Sequence, residues 1–176
     1  PQCWRCDTPL LQLSIPQWFF GATKFRDDLL ESNEEVNWVP DWSGQKFDEW
    51  LEQLGDWPVS RQRYWGIPLP IWECNECDNT KVIGDRSELP EVPDDLHRPY
   101  IDNVTLECDC GGEMERIPDV LDVWFDSGVA PWASLKNEAI DFSFEDHNPV
   151  DLELEGFDQI RGWWNSQFIT SHMTYD

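Results

Sequence analysis

The sequence predicts an α/β fold that carries a small, loop-rich, metal-stapled insertion. Three observations support this. Apolar residues recur at helical spacing in two stretches, with short extended pieces between them. A strand-like run ends at Glu155-Gly156 and gives way to a helical pattern. The six cysteines fall into close pairs, Cys3/Cys6, Cys74/Cys77 and Cys108/Cys110. The 176 residues suit one large domain or two small ones. With 40% hydrophobic and 14% aromatic residues, a packed core is within reach and a disordered acidic chain is excluded.

Taken in order, Ile15-Pro16-Gln17-Trp18-Phe19-Phe20 reads as a buried strand. Phe25, Leu29 and Leu30 recur at helical spacing as far as about Asn33. Val36 to Val39 is extended and stops at Pro40. Ser43 reads as the N-cap of a helix to Leu54, with Phe47, Trp50, Leu51 and Leu54 on one face and Gly55 as the C-cap glycine. Pro58 to Pro68 precedes an apolar strand-like stretch that ends at Trp72. Prolines 90, 93 and 99 then make residues 78–107 loop rather than helix. The pattern turns apolar again through Val120-Leu121-Asp122-Val123-Trp124-Phe125-Asp126-Ser127-Gly128. Val150 to Leu154 alternates like a strand, and Asp158 to about His172 reads as helix. Strand, glycine turn and helix in sequence form the unit that builds ligand sites at the carboxyl end of a parallel sheet. There is no internal repeat and no low-complexity run. The segments divide at 1–57, 58–118 and 119–176.

Twelve Lys and Arg against 36 Asp and Glu give a net charge of −24, spread from Asp7 to Asp176. A surface so rich in carboxylate repels itself until salt screens it. This fits a cytoplasmic protein of a salt-accumulating organism, and contacts with phosphate would then rest on geometry more than on net charge. No apolar run approaches the roughly 18 residues that a membrane span needs, and no signal-type segment opens the chain. The opening Pro1-Gln2-Cys3 lies inside a motif, so the chain reads as a piece of a longer protein.

Close cysteine pairs in a chain without secretory features point to metal rather than disulfides. Cys74-Asn-Glu-Cys77 and Cys108-Asp-Cys110-Gly-Gly can each form a tight knuckle, the glycine allowing a left-handed backbone. Together they supply four thiolates for one tetrahedral zinc of structural type, with iron in a rubredoxin-like site as the competing ion. Cys3 and Cys6 have no partners left. They are either half of a second site completed from upstream or a free pair, and the half-site is favoured.

Several strings coincide in one order: Cys3-Trp4-Arg5-Cys6, Gln17-Trp18-Phe19, Asp56-Trp57 through Gly66, Asp122 to Gly128, and Glu155-Gly156-Phe157-Asp158-Gln159-Ile160-Arg161-Gly162-Trp163. Over nearly its whole length the chain resembles class I aminoacyl-tRNA synthetases, in their isoleucine-specific branch of archaeal and eukaryote-like type. The valine-specific branch is similar around Ser60-Arg61-Gln62 but differs after Gly156.

The resemblance implies the second half of a Rossmann-type catalytic domain (119–176), the end of a connective insertion returning to the core (1–57), and a connective segment with zinc knuckles (58–118). It implies ATP-dependent activation of isoleucine, with Mg2+, to isoleucyl-adenylate and transfer to tRNA(Ile). The complete enzyme would be a monomer away from membranes. It also implies that Glu155, Gly156, Asp158 and Gln159 contact the adenylate, with the positive end of the following helix near phosphate. Trp124 and Trp163 are implied as walls of the isoleucine side-chain pocket.

The two ATP-binding signature motifs and the editing domain of that family do not occur in this chain, so the piece alone is expected to be inactive. Ser60 to Arg63 read either as a tRNA acceptor-end contact or as a tie between segments, and Arg161 as a surface or interdomain ion pair. His97, His147 and His172 show no metal or nucleophile spacing. A stand-alone zinc-ribbon module binding protein or RNA is the alternative from a different class. The adenylate strings argue against it.

Overall fold

The computed structural model describes residues 1–135 and 150–175, and it is a mixed α/β structure. Its first strand, β1 (Phe19–Phe20), pairs antiparallel with β2 (Trp57–Pro58). Between them lie a 3-10 turn at Ala22–Phe25 and two helices, α1 (Arg26–Glu34) and α2 (Trp42–Glu52). β3 (Ser60–Arg61) pairs antiparallel with β8 (Val120–Leu121). Between those two strands a four-stranded antiparallel sheet is inserted. It consists of β4 (Ile71–Cys74), β5 (Thr80–Val82), β6 (Leu106–Glu107) and β7 (Glu113–Arg116), in the order β5-β4-β7-β6. Two further helices follow, α3 (Val123–Ala133) and α4 (Trp163–Tyr175), with a 3-10 turn at Phe157–Arg161 just before α4.

Two apolar cores organise these elements. Leu29, Phe47, Leu51 and Leu54 of the first segment pack with Ile160 and Ile169 of the last, so the chain's two ends share one core. Trp72, Ile83, Ile101, Leu106 and Met114 form a separate core under the four-stranded sheet, where the Trp72 indole donates to the carbonyl of Val104 at 2.7 Å.

Several expected elements differ from what is observed. Residues 15–18 are not a buried strand: pairing is confined to Phe19–Phe20, and Ile15 is exposed. Trp18 extends the contact by one residue, its carbonyl accepting the Val59 N–H at 2.8 Å. Val36 to Val39 is a bend with Val39 exposed, not an extended piece. Ser43 is buried inside α2, which starts after Asp41 and ends with Gln53 as its cap. The expected strand at Val150 to Leu154 pairs with nothing among the described residues and leaves Leu152 82% and Leu154 88% exposed. All sheet pairing among the described residues is antiparallel. A parallel sheet needs neighbouring parallel strands, and the described residues contain none.

Arg116 joins the inserted sheet to the rest. Its side chain is fully buried, pairs with Asp102, and donates to the carbonyls of Leu69 (3.2 Å) and Asp119 (2.9 Å). Burial pushes the Asp102 carboxyl up, but the Arg98 and Arg116 guanidiniums outweigh burial and hold it below its ordinary value. Replacing Arg116 by methionine strands two carbonyls and half-frees a carboxylate, at an expected cost of about 3–5 kcal/mol in denaturant unfolding. A carboxyl with a lowered native pKa contributes stability that is complete above about pH 4 and is lost as pH falls through the native value. The Asp102→Asn variant should therefore show a shallower loss of stability on acidification.

Helices α3 and α4 approach along a seam of small residues. A Cβ on Gly128 would lie 2.9 Å from the Ser166 carbonyl oxygen and 3.0 Å from Thr170 Oγ1. The Ser166 and Thr170 hydroxyls bond back to their own helix, at Trp163 O and Ser166 O, both at 2.8 Å. Backbone cannot swing aside as a side-chain tip can. The Gly128→Ala variant is accordingly expected to force the helices apart and lower stability by about 1–3 kcal/mol in thermal or urea unfolding.

Candidate metal centre and ligand site

The metal centre grows from two hairpin turns of the inserted sheet. Cys74 closes β4, and its N–H donates to the Asn79 carbonyl at 3.0 Å, folding Cys77 back beneath it. Beyond β6, the Cys108 N–H donates to the Gly112 carbonyl (2.9 Å) and the Gly111 N–H to the Cys108 carbonyl (2.8 Å). Gly111 has φ +87°, the left-handed conformation expected at the second knuckle. Gly112 leaves room for a neighbouring sulfur, since a Cβ there would lie 3.1 Å from Cys74 Sγ.

The sulfurs of Cys74, Cys77, Cys108 and Cys110 all lie within 4.8 Å of one another. Cys74 and Cys110 are 3.6 Å apart, Cys77 and Cys108 3.7 Å. Those separations are far beyond a disulfide bond. They match the ~3.8 Å edge of a tetrahedron of sulfurs held about 2.3 Å from one ion.

The electrostatics agree with this geometry. The backbone N–H of Cys110 and the side-chain amide of Asn79, 3.6 Å away, draw the Cys108 thiol down to about 6. Cys77 is pushed up to about 12: the Asn79 backbone pulls it down, but the neighbouring thiols Cys110 and Cys74 more than offset that pull. Four thiols this close cannot all ionise without a cation among them. The four residues therefore fit a divalent ion of zinc type, a closed site with no position left for substrate.

Cys3 and Cys6 form a similar turn at the other end of the chain. The Asp7 N–H donates to the Cys3 carbonyl at 2.9 Å, with Asp7 at φ +56°, and Cys6 Sγ meets Thr8 Oγ1 at 3.2 Å. No further cysteine or histidine completes a cluster there among the described residues.

The second site lies where the chain enters α4. Glu155, Gly156 and Asp158 are exposed, and Gln159 is half-buried. Gly156 sits under the Asp158 side chain. A Cβ there would lie 2.6 Å from Asp158 Oδ1, so the glycine lets the carboxylate fold over the backbone. Asp158 does not act as a helix cap: Gly156 holds that position, and the Asp158 carboxylate instead accepts from Gln159 Nε2 at 3.3 Å. Gln159 Oε1 accepts the Trp163 N–H at 2.9 Å, and Gly162 leaves space for it, a Cβ there lying 2.6 Å from that oxygen. The helix expected from Asp158 thus begins at Trp163, and one of its first N–H groups is already taken by Gln159. The positive helix end is displaced from the position expected for it.

Trp124 approaches the chain here, next to Trp163. The ring edge of Trp124 lies 3.4 Å from the Cβ position of Gly162, the residue before Trp163. Trp124 is 43% exposed and Trp163 half-buried, so both offer ring surface. The Trp163 indole N–H donates to the Ser127 carbonyl at 2.8 Å. Pro131, four residues after Ser127 inside α3, has no N–H to offer that carbonyl, and the indole takes the place of the missing helical bond.

Sequence reasoning did not identify Asp122 as an anchor. The carboxylate is buried, yet it receives Arg61 at 2.7 Å, Trp57 Nε1 at 3.0 Å and the Trp124 N–H at 3.3 Å. The available signal was a lone carboxylate inside an apolar run just before a helix, an N-cap pattern. Ser60 and Arg61 therefore act as a tie: the Ser60 hydroxyl accepts from Trp18 N at 3.0 Å and Arg61 pairs with Asp122, while Gln62 and Arg63 are exposed. Arg161 lies over the Trp50 ring at 5.3 Å, and among the described residues it forms no ion pair. His97 stacks on Trp65 and contacts Asp95, His172 lies against Phe25, and His147 is outside the described residues.

The model of the family tRNA synthetases class I (I, L, M and V) matches residues 11–176. The chain is 52% identical over 172 residues to an isoleucine–tRNA ligase of Saccharolobus solfataricus, covering 94% of this chain and 17% of that protein. It is 49% identical over 175 residues to that of Methanosarcina acetivorans, covering 96% and 16%. It is 48% identical over 176 residues to that of Archaeoglobus fulgidus, covering 99% and 17%. The chain thus spans about one-sixth of the length of these curated relatives.

Proposed function

The chain belongs to the class I tRNA synthetases (I, L, M and V), and from that premise we propose that it is an internal part of an isoleucine–tRNA ligase. The complete enzyme would activate isoleucine with ATP and Mg2+ to isoleucyl-adenylate and pass the isoleucyl group to a hydroxyl of the terminal adenosine of tRNA(Ile). The observation that carries this reading is the approach of Trp124 to the chain next to Trp163, beside the glycine-flanked Asp158–Gln159 turn, in a chain about half identical to three archaeal proteins of that name.

In this reading the two indole faces grip the branched aliphatic side chain by apolar burial and dispersion. Gly156 opens the backbone to the adenylate. Glu155 and Asp158 accept hydrogen bonds from ribose hydroxyls or the amino-acid ammonium, and Gln159 links the turn to the pocket by holding Trp163. No side chain forms a covalent intermediate, so the residues act by orientation and electrostatics.

In this reading the chain divides into 1–57 returning to the catalytic core, 58–118 bearing the zinc ribbon, and 119–176 as the second half of the Rossmann domain. Zinc on Cys74, Cys77, Cys108 and Cys110 is structural, and Cys3 and Cys6 are half of a second site. The complete enzyme would be a cytoplasmic monomer of a salt-accumulating organism. The stretch alone would be inactive.

Isoleucine-dependent ATP–pyrophosphate exchange by the complete protein in molar KCl, with valine and leucine alongside, tests the reading. Exchange strongest with isoleucine supports it. The absence of exchange with any amino acid, from soluble metal-loaded protein, overturns it.

A further inference from the structure

Asp122 is buried and both its oxygens are engaged, so it does not face a ligand. Oδ2 takes the Arg61 guanidinium and the Trp57 indole N–H, Oδ1 takes the Trp124 N–H, and the Asp122 N–H donates to the Val59 carbonyl at 2.8 Å. These partners come from β2, β3, the residue between them, and the first turn of α3. The carboxylate therefore fixes how α3 leaves the paired strands. Trp124 sits in that first turn, and one turn later the Ser127 carbonyl, released by Pro131, holds the Trp163 indole. A continuous line of hydrogen bonds and helix backbone thus runs from Arg61 through Asp122 to both indoles. Asp126, one turn beyond Asp122, has a buried oxygen with no hydrogen-bond partner among the described residues.

We propose that Arg61 and Asp122 are positioning residues for amino-acid selection: their ion pair, closed by Trp57, sets the spacing of the two indoles without touching the amino acid. The proposal rests on the ligase reading and adds residues to it. A tie that served stability alone would lower the amount of active enzyme, reducing kcat for every amino acid alike. A tie that sets pocket width acts on the amino acid alone.

The test uses the complete enzyme in ATP–pyrophosphate exchange, which needs no tRNA, with isoleucine and valine as substrates. Asp122→Asn keeps the size and the cap but loses the charge. It is expected to raise the isoleucine KM about tenfold and narrow the isoleucine-to-valine ratio, with kcat and the ATP KM within about twofold. Trp57→Phe, which removes one donor and keeps an aromatic ring, is expected to give about threefold in the same direction. Arg61→Lys should lie closer to the unsubstituted enzyme than Arg61→Ala.

Variants with an unchanged isoleucine KM, or with a kcat loss equal for both amino acids, overturn the positioning role while leaving the ligase reading intact. If the unsubstituted enzyme gives no isoleucine-dependent exchange, the ligase reading fails and the positioning role falls with it.

Discussion

Replacing Cys108 by serine is expected to abolish tight metal binding and unfold the inserted sheet. Cys108 is the buried member of the four-sulfur cluster and the thiol most ready to ionise, drawn down to about 6 by the Cys110 N–H and then by Asn79. It also packs against the core built on Trp72 and Met114. A structural zinc bound by four thiolates contributes on the order of 10 kcal/mol or more of folding free energy at neutral pH. That exceeds what a module of this size gains from its core. A three-thiolate site would bind far more weakly. Metal analysis of the purified complete protein should fall from one ion to none at this centre. The tryptophan fluorescence of the inserted sheet should move towards that of exposed indole. Chelator treatment of the unsubstituted protein should reproduce both changes, and zinc should reverse them. Retention of one ion by Cys108→Ser, or chelation with no spectral change, would show that the sheet stands on its apolar core alone.

Trp163→Ala in the complete enzyme is expected to raise the isoleucine KM about 100-fold and to bring isoleucine and valine towards equality. The change removes one indole wall and the bond to the Ser127 carbonyl, while leaving the Gln159 bond to the backbone N–H in place. Losing a large aromatic contact in a pocket typically removes about 2–4 kcal/mol of binding. Discrimination by one methylene is modest even in an intact pocket, and the choice of isoleucine over valine by this class of enzyme is the standard illustration of that limit. Trp163→Phe keeps a ring without the N–H and should fall between. Steady-state exchange with both amino acids checks this, and unchanged kinetics for both would remove Trp163 from the pocket.

Much of this architecture is legible in the sequence where local chemistry decides it. The two knuckles follow from cysteine spacing and a glycine that must take positive φ, and Gly111 does so. Helices α1 and α2 follow from the spacing of Leu29, Phe47 and Leu51, all buried. What is not legible depends on partners distant in sequence. Whether Val150 to Leu154 pairs depends on strands elsewhere, and alternation alone cannot supply them. Asp122 and Arg61 are 61 residues apart, and their pairing is visible only once β3 and β8 lie side by side. The last helix starts at Trp163 and not at Asp158: residues 157–161 form a 3-10 turn, and the Gln159 side chain takes the Trp163 N–H.

The close seam of Gly128, Ser166 and Thr170 joins the two helices that carry Trp124 and Trp163. Because α3 carries Trp124 and α4 begins at Trp163, a change in the gap at this seam is expected to shift one indole relative to the other. If the two indoles line the proposed isoleucine pocket, a substitution at the seam is then expected to retune it for a slightly larger or smaller aliphatic chain with no change to its lining. Searches for altered amino-acid selectivity that sample only ligand-facing positions would pass over residues able to change it.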